Sequence, residues 1–390
     1  MPEERAPNQP PEVDLEKAPF FFEGQSIEDA TAVKLVKTTF ENYESQRKTH
    51  EERWRTAENL YFGVVTKRKW EGTEVERASL PVMIAFDQVE SAYPILTEAL
   101  FERTPTFFEV TAPEGVSSAE AARQRDRLAA FLETPYDETG ITPMSALYEA
   151  IHQLLILGDG VIEITWDAEQ QRPIPELVDL KDLYFDLSIP GPLIDLSPAV
   201  IRRKLVTIEQ LAKLRVDPQM RIPSDEMLNF MSRTRQLASA DLLKRENAAA
   251  HKETLQIGDL RTDPRHREIE VLMYWTKDRL IWVLNRVWCA LTVKNPYGFI
   301  PFVKGPLIIV PGRPYSMSLP DVLEGEQKYA QGIRNARLDN LALMLQKPRW
   351  RIQGTPVSPS KLDWKPGLID EVPSKDSTGV LDVEMVNQDA

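Results

Sequence analysis

The chain has one cysteine, Cys289, among 390 residues. A single thiol closes no internal disulfide, so no disulfide framework is expected, and the count suits a reducing compartment. Histidine is scarce as well: His50, His152, His251 and His266 are the full set. No two of them stand four residues apart and none lies in an HExxH run, which argues against a zinc centre. Glycine occupies only 17 positions, and the patterns GxxxxGK[ST], GxGxxG and GxSxG are all missing. That leaves no phosphate-cradling loop and no nucleophile elbow. No run approaches the roughly 18 apolar residues of a membrane span. The opening MPEERAPNQPPEVDLEK lacks the apolar stretch of a secretory leader. These absences together predict a chain with no catalytic site, no metal and no cofactor.

What is present is the profile of a folded globular chain, 42% hydrophobic and 27% charged. Its length predicts two or three modules. The formal charge of −13 is unevenly spread: residues 1–200 carry −19, residues 201–360 carry +10 and residues 361–390 carry −4. A basic central segment fits a region facing a polyanion and equally fits an ordinary solvated surface.

The organisation follows from composition and periodicity. Residues 1–26 are rich in proline and acid, with few apolar side chains beyond Phe20–Phe22, and read as a flexible acidic arm. A long helix is expected over 27–62, with Val33, Val36, Phe40, Tyr43 and Arg47 at spacings of three and four and Gly63 as its stop. A second helix over 84–103 contains Pro94, which predicts a kink or break. Phe107–Val110 reads as a strand, then helices follow at 117–134 and 142–158. The period then changes to two, with strands at 161–166, 175–178, 183–186 and 200–206, and Thr207 caps a short helix over 208–214. Residues 217–264 are polar and partly helical, with little to bury; such a segment spans between domains or packs on another chain. A meander is expected over 268–293, the turn Asn295-Pro296-Tyr297-Gly298 follows, and strand pieces lie at 301–303 and 307–310. Ser318 and Asp321 form an approximate capping box opening a helix that ends at Lys347-Pro348. Its apolar stripe is Val322, Leu323, Ile333, Leu338, Leu341 and Leu345. No clear terminal element is read over 349–390. The fold class is α+β.

Candidate chemistry is thin. Cys289 follows Trp288 in a strand and reads as a buried, inert thiol. Glu163, Asp182 and Asp186 are carboxylates that a hydrolase or a cation site would use, and equally serve as turn and edge residues. Lys69-Trp70 and Arg349-Trp350 are basic–aromatic pairs that stack on nucleic acid or close a core edge.

The stretch 269–350 is the specific one. A meander with Tyr274-Trp275 and Trp282 leads to Asn295, Pro296, Pro301 and Phe302. Gly312-Arg313-Pro314-Tyr315-Ser316-Met317-Ser318 follows, then Glu326-Gln327, Asn335, Arg337-Leu338-Asp339-Asn340 and Lys347-Pro348. Upstream, in the same order, stand Tyr61-Phe62-Gly63, Phe86 and Glu90, the run Leu157-Gly158-Asp159-Gly160 before a strand ending in Trp166, and Asp182 to Asp186. Across residues 30–355 this resembles the portal, or head-to-tail connector, proteins of tailed double-stranded DNA bacteriophages, the short-tailed type in particular. Two departures stand out. Ser316 occupies the family's usual glycine before the helix, and portal chains continue into a helical crown where this one stops at Ala390. A compact portal and a piece of a longer product both remain open.

The resemblance implies a portal-like fold, with a helical wing and stem plus β-rich wing or clip segments, assembled as a ring of about twelve copies. On it, 27–216 is wing, 217–317 stem or clip and meander, 318–348 a stem or tunnel helix, and 349–390 a return to the wing. Lys328, Arg334, Arg337, Glu324, Glu326, Asp339, Lys347 and Arg349 become candidates for the DNA channel. Gly158, Gly160, Asp186, Asn295, Pro296, Pro301, Phe302, Ser318, Gln327 and Pro348 become structural positions. The expected partners are further copies of the chain, double-stranded DNA in transient and non-specific contact, the terminase large subunit, major capsid and scaffolding proteins, and tail or adaptor proteins; no membrane is implied. The expected place is a capsid vertex of the virion, after assembly in a bacterial cytoplasm. The alternatives are a capsid-associated adaptor or scaffold without a channel, and a hydrolase built on the carboxylates above.

Overall fold

The computed structural model describes residues 27–70, 76–101, 117–135, 142–167, 171–189, 191, 193–233, 267–345, 349–353 and 369–373. The expected N-terminal arm, the strand at 107–110, residues 234–264, Lys347 and Pro348 lie outside them. Within them the architecture is mixed, helices with antiparallel sheets, as the α+β reading expects. The chain divides into two compact units. One comprises residues 1–58 and 88–322, the other 59–87 and 323–390, so each long helix named below crosses from one unit to the other.

In the larger unit, helix α1 (Ile27–Tyr61) buries the stripe its periodicity predicts. Val36, Phe40 and Tyr43 join Tyr184, Ile201, Leu272, Tyr274, Ile281 and Val283 in one apolar cluster. Those partners come from an antiparallel sheet of five strands in the order β3 (Leu183–Phe185), β4 (Val200–Thr207), β5 (Glu268–Trp275), β6 (Arg279–Leu284) and β7 (Trp288–Lys294). Each fully buried side chain of this type stabilises by about 1.5–3 kcal/mol. The turn from β6 to β7 puts Asn285 and Arg286 at φ of 47° and 65°, the left-handed conformation that tight hairpin turns demand.

A second sheet has β1 (Asp159–Asp167) between β2 (Arg172–Leu177) and β8 (Phe302–Pro306). The sequence placed 301–303 after the meander without a partner; the structure pairs it with β1, Ile162 opposite Val303. Helix α4 (Pro143–Leu157) leads into β1 through Gly158, a left-handed cap at φ 93°. A Cβ on Gly160 would stand 2.3 Å from the Ala150 carbonyl oxygen, so only glycine permits this approach of helix and strand. Helix α3 (Ser118–Glu133) is capped by Ser117.

Three points refine the expectations. Of the kink or break expected at Pro94, the break does not occur: helix α2 (Ile84–Phe101) is continuous through it. Edge-to-face contacts of Tyr93 with His152 and of Phe101 with Tyr148, each at 5.3 Å, brace it on α4. The polar region after 217 does not need another chain for its first helix. In α6 (Asp225–Arg233), which follows the Thr207-capped α5 (Ile208–Leu214), Leu228 and Met231 are fully buried, and Asn285 Nδ2 donates to the Met231 carbonyl. The C-terminal part has regular structure after all: β9 (Arg349–Gln353) and β10 (Ile369–Pro373) form a parallel pair.

In the smaller unit, helix α7 (Leu319–Leu345) carries the extended segment between α1 and α2. Among the described residues no helix is long and apolar enough to cross a membrane.

Candidate functional site

Helix α7 holds six of the eight channel candidates that the resemblance implies, and it is built around polar side chains. It opens with the expected capping box: Ser318 Oγ accepts from the Asp321 amide at 3.2 Å and Asp321 Oδ2 from the Ser318 amide at 2.8 Å. Downstream, Gln327, Asn335 and Asp339 stand eight and four residues apart, which places them on one face. All three are buried, at 1%, 1% and 5% exposure.

Each hydrogen-bonds main chain of the segment linking α1 to α2 or of the helix ends that flank it. Gln327 Nε2 donates to the Leu60 carbonyl at 2.8 Å, an orphan acceptor at the end of α1, and its Oε1 accepts from the Ala85 amide at 2.8 Å, an orphan donor at the start of α2. Asn335 Oδ1 accepts from the Leu80 amide at 2.9 Å, and Asp339 Oδ1 from the Ala78 amide at 2.7 Å. Asp339 Oδ2 also meets the Arg77 guanidinium at 3.0 Å. The segment is thus strapped along α7 by side chains of one helix face. At its far end Arg77 N donates to the Arg68 carbonyl and Lys69 bridges Glu76, closing a small hairpin in which the Arg77 guanidinium lies 4.8 Å over the Trp70 ring. Trp70 is therefore engaged within the chain.

The strap turns the helix around relative to the sequence reading. The stripe expected to be buried is largely outside: Val322 is 55% exposed, Ile333 38%, Leu341 50% and Leu345 77%, with Tyr329 at 68% beside them. Among the channel candidates, Lys328, Arg334, Arg337 and Glu326 are exposed and Glu324 is half-buried. Asp339, also a channel candidate, differs: it is buried and lies inward on Arg77. Lys328 pairs with Glu324 one turn away, and Arg334 reaches the Pro81 carbonyl at 3.4 Å. Arg349 lies in β9, and Lys347 falls outside the described residues.

The larger unit contains buried ion pairs that the sequence reading did not single out. Arg47, which sits in the apolar stripe of α1, is fully buried. Its Nε donates to Glu51 at 2.7 Å and its other nitrogens to the Leu183 and Lys181 carbonyls, while its guanidinium lies 3.6 Å over the Tyr184 ring. The signal for it was the Glu51 four residues on. Lys304 is 3.3 Å from Asp159, whose other oxygen accepts from the Ser316 amide at 3.0 Å. Burial lowers the Lys304 pKa and Asp159 opposes that shift. His50 packs on the Tyr315 ring at 4.8 Å. Burial first, then Arg53, Arg313 and Lys304, push its pKa down to about 4.

The hydrolase carboxylates do not converge. Glu163 is bound by Arg202, which also meets Glu176 at 2.8 Å. Asp182 pairs with Arg203 at 3.2 Å, and Arg203 and Arg286 share Glu270 at 2.7 and 2.8 Å. Asp186 closes a turn, accepting from the Ser188 amide and hydroxyl at 2.9 and 2.8 Å. Among the described residues no three His, Cys, Asp or Glu groups form a metal cluster. Cys289 is buried, and burial raises its pKa.

The remaining motif positions close turns and joints. Asn295 donates to the Thr276 and Phe299 carbonyls at 2.7 and 2.8 Å and accepts from the Tyr297 amide at 2.9 Å, so its side chain builds the turn that Pro296 enters. The Pro301 carbonyl accepts from the Ile164 amide, and Phe302 is 2% exposed. No family model matches the chain, and no curated protein matches it.

Proposed function

We propose that this chain is a portal-type protomer. Copies of it form a closed ring at one vertex of a viral capsid, through which double-stranded DNA enters and leaves and to which the packaging motor and tail or adaptor proteins attach. The observation that carries the reading is the ordered motif set from Gly158 to Asp339, together with the work those residues do. Gly160 admits a close helix–strand approach, Asn295 builds a turn, and Gln327, Asn335 and Asp339 fasten a strap. Their roles are mechanical, as a conduit needs, and no nucleophile–base pair stands among them.

The exposed face of α7 mixes Lys328, Arg334 and Arg337 with Glu324 and Glu326. In the proposed conduit a mixed face suits passage, because a purely cationic wall would hold a polyanion through counterion release. Contact with DNA is then weak, independent of sequence and reduced by salt. Negative-stain electron microscopy of the purified chain tests the reading. Rings with a central hole are expected; single globular particles at every concentration would overturn it.

A further inference from the structure

Residues 312–318 lie between β8 and α7 within the larger unit, and charged side chains hold them there. Tyr315 is 1% exposed. Its ring meets His50 and Trp54 of α1 and Phe185 of β3 at 4.8, 4.9 and 5.1 Å. The main chain on either side of it is bound by three ions. Lys304 Nζ donates to the Pro314 carbonyl, Arg53 Nη2 donates to the Ser316 carbonyl, and Asp159 Oδ2 accepts from the Ser316 amide at 3.0 Å. Next along, the Met317 amide donates to the Ile308 carbonyl at 3.0 Å. Arg53 also meets Asp321, the carboxylate of the capping box that opens α7, at 3.1 Å.

His50 is the member of this cluster whose ordinary charge change falls in mildly acid solution. It is half-buried, and the charges around it come from four elements. Its own helix carries Arg53 and also Glu51, which Arg47 holds at 2.7 Å. Lys304 on β8 and Asp159 on β1 stand 3.3 Å apart. The segment brings Arg313 and the Tyr315 phenol, and Asp321 follows it. The three carboxylates are thus already engaged by Arg47, Lys304 and Arg53, while Arg53, Arg313 and Lys304 all oppose a positive imidazole. A proton on His50 adds a further cation to a partly desolvated site whose anions are taken. Lifting Tyr315 away exposes His50 to water and removes Arg313 from beside it.

We infer that residues 312–318 form an acid-released latch: protonation of His50 frees the segment, and with it the capped start of α7, while α1 and the five-stranded sheet stay folded. The inference stands apart from the portal reading. Its sign follows from the folded pKa of about 4 against the ordinary 6.5. The latched state holds the neutral imidazole, so latching is unaffected above pH 6.5 and weakens as the pH falls towards 4. Between pH 7.5 and 5.0 the open fraction rises by up to about thirtyfold.

Hydrogen exchange of the full chain, corrected for intrinsic rates, tests this at the Ser316 and Met317 amides at pH 7.5 and 5.0. The Phe40 amide of α1 reports unfolding of the whole unit. Protection at Ser316 and Met317 is expected to fall about ten- to thirtyfold at pH 5.0, to stay below that of Phe40, and to be insensitive to low denaturant, as a local opening is. In His50→Gln the fall is expected to shrink below about twofold; in His152→Gln, a half-buried histidine elsewhere, it is expected to persist. Unchanged wild-type protection between the two pH values overturns the latch. Ser316 and Met317 that exchange together with Phe40, and quicken with denaturant as it does, open only with the whole unit and overturn it as well. A fall that persists in His50→Gln assigns the proton to another group and overturns the role of His50. The wild-type comparison decides the latch even where a variant fails to fold.

Discussion

Helices α1 and α7 are the two longest described, and they sort their side chains in opposite ways. Helix α1 turns Val36, Phe40, Tyr43 and Trp54 inward onto apolar side chains, with the charged Asp29, Arg47, Glu51 and Glu58 buried beside them. Helix α7 turns Gln327, Asn335 and Asp339 inward and leaves Tyr329, Ile333, Leu341 and Leu345 outside. The difference lies in what each helix packs against. A sheet has its own hydrogen bonds made and offers side chains, so apolar groups meet it best. The strap is extended main chain with unpaired amides, and a buried amide must be hydrogen-bonded, so amide and carboxylate side chains meet it best. A helix that uses its polar side within the chain has its apolar side left for contacts outside.

That contrast can be broken at several points. The largest effect is expected at the buried arginine of α1. Arg47→Ala leaves Glu51 and two buried carbonyls short of a donor and removes the guanidinium from the Tyr184 face. A loss of about 3–5 kcal/mol is expected by chemical denaturation. On α7, Gln327→Ala orphans the Leu60 carbonyl and the Ala85 amide and is expected to cost about 2–4 kcal/mol. Hydrogen exchange at Ala85 should quicken by more than at Val36, whose protection belongs to α1. Asp339→Asn keeps the acceptor for Ala78 and loses only the charge opposite Arg77, so about 1 kcal/mol is expected.

The His50 pocket sharpens the contrast with pH. Its folded pKa of about 4 lies below the ordinary 6.5. From pH 6.5 down to 4 the unfolded chain takes up a proton that the folded chain refuses, so stability falls across that window and is unaffected above it. His50→Gln is expected to flatten this part of the stability–pH curve, read by denaturant titrations at several pH values. The smallest effect belongs to the outer face: Leu345→Ser should change the stability of the folded chain by no more than about 0.5 kcal/mol.

The sequence made much of this legible. Gly63, Gly158, Thr207 and Ser318 mark helix ends with mechanisms that act locally, and those ends are found within a residue or two. The alternation in 268–293 likewise predicts the meander. The sidedness of α7 was not legible, because periodicity assumes that polar residues face water. Gln327, Asn335 and Asp339 share a face at spacings of eight and four, yet their partners are amides of 78–85, more than 240 residues away in sequence. The pairing of β8 with β1 and the Lys304–Asp159 ion pair are hidden for the same reason. Arg47 was placed in the right stripe with no means of knowing that Leu183 and Lys181 would offer it carbonyls.

The central claim is that this chain works as a closed ring of identical copies. Native mass spectrometry of the full chain tests it most directly. The account predicts one dominant species near twelve times the 44.5 kDa of the chain. A single species at 44.5 kDa across the accessible concentrations would contradict it.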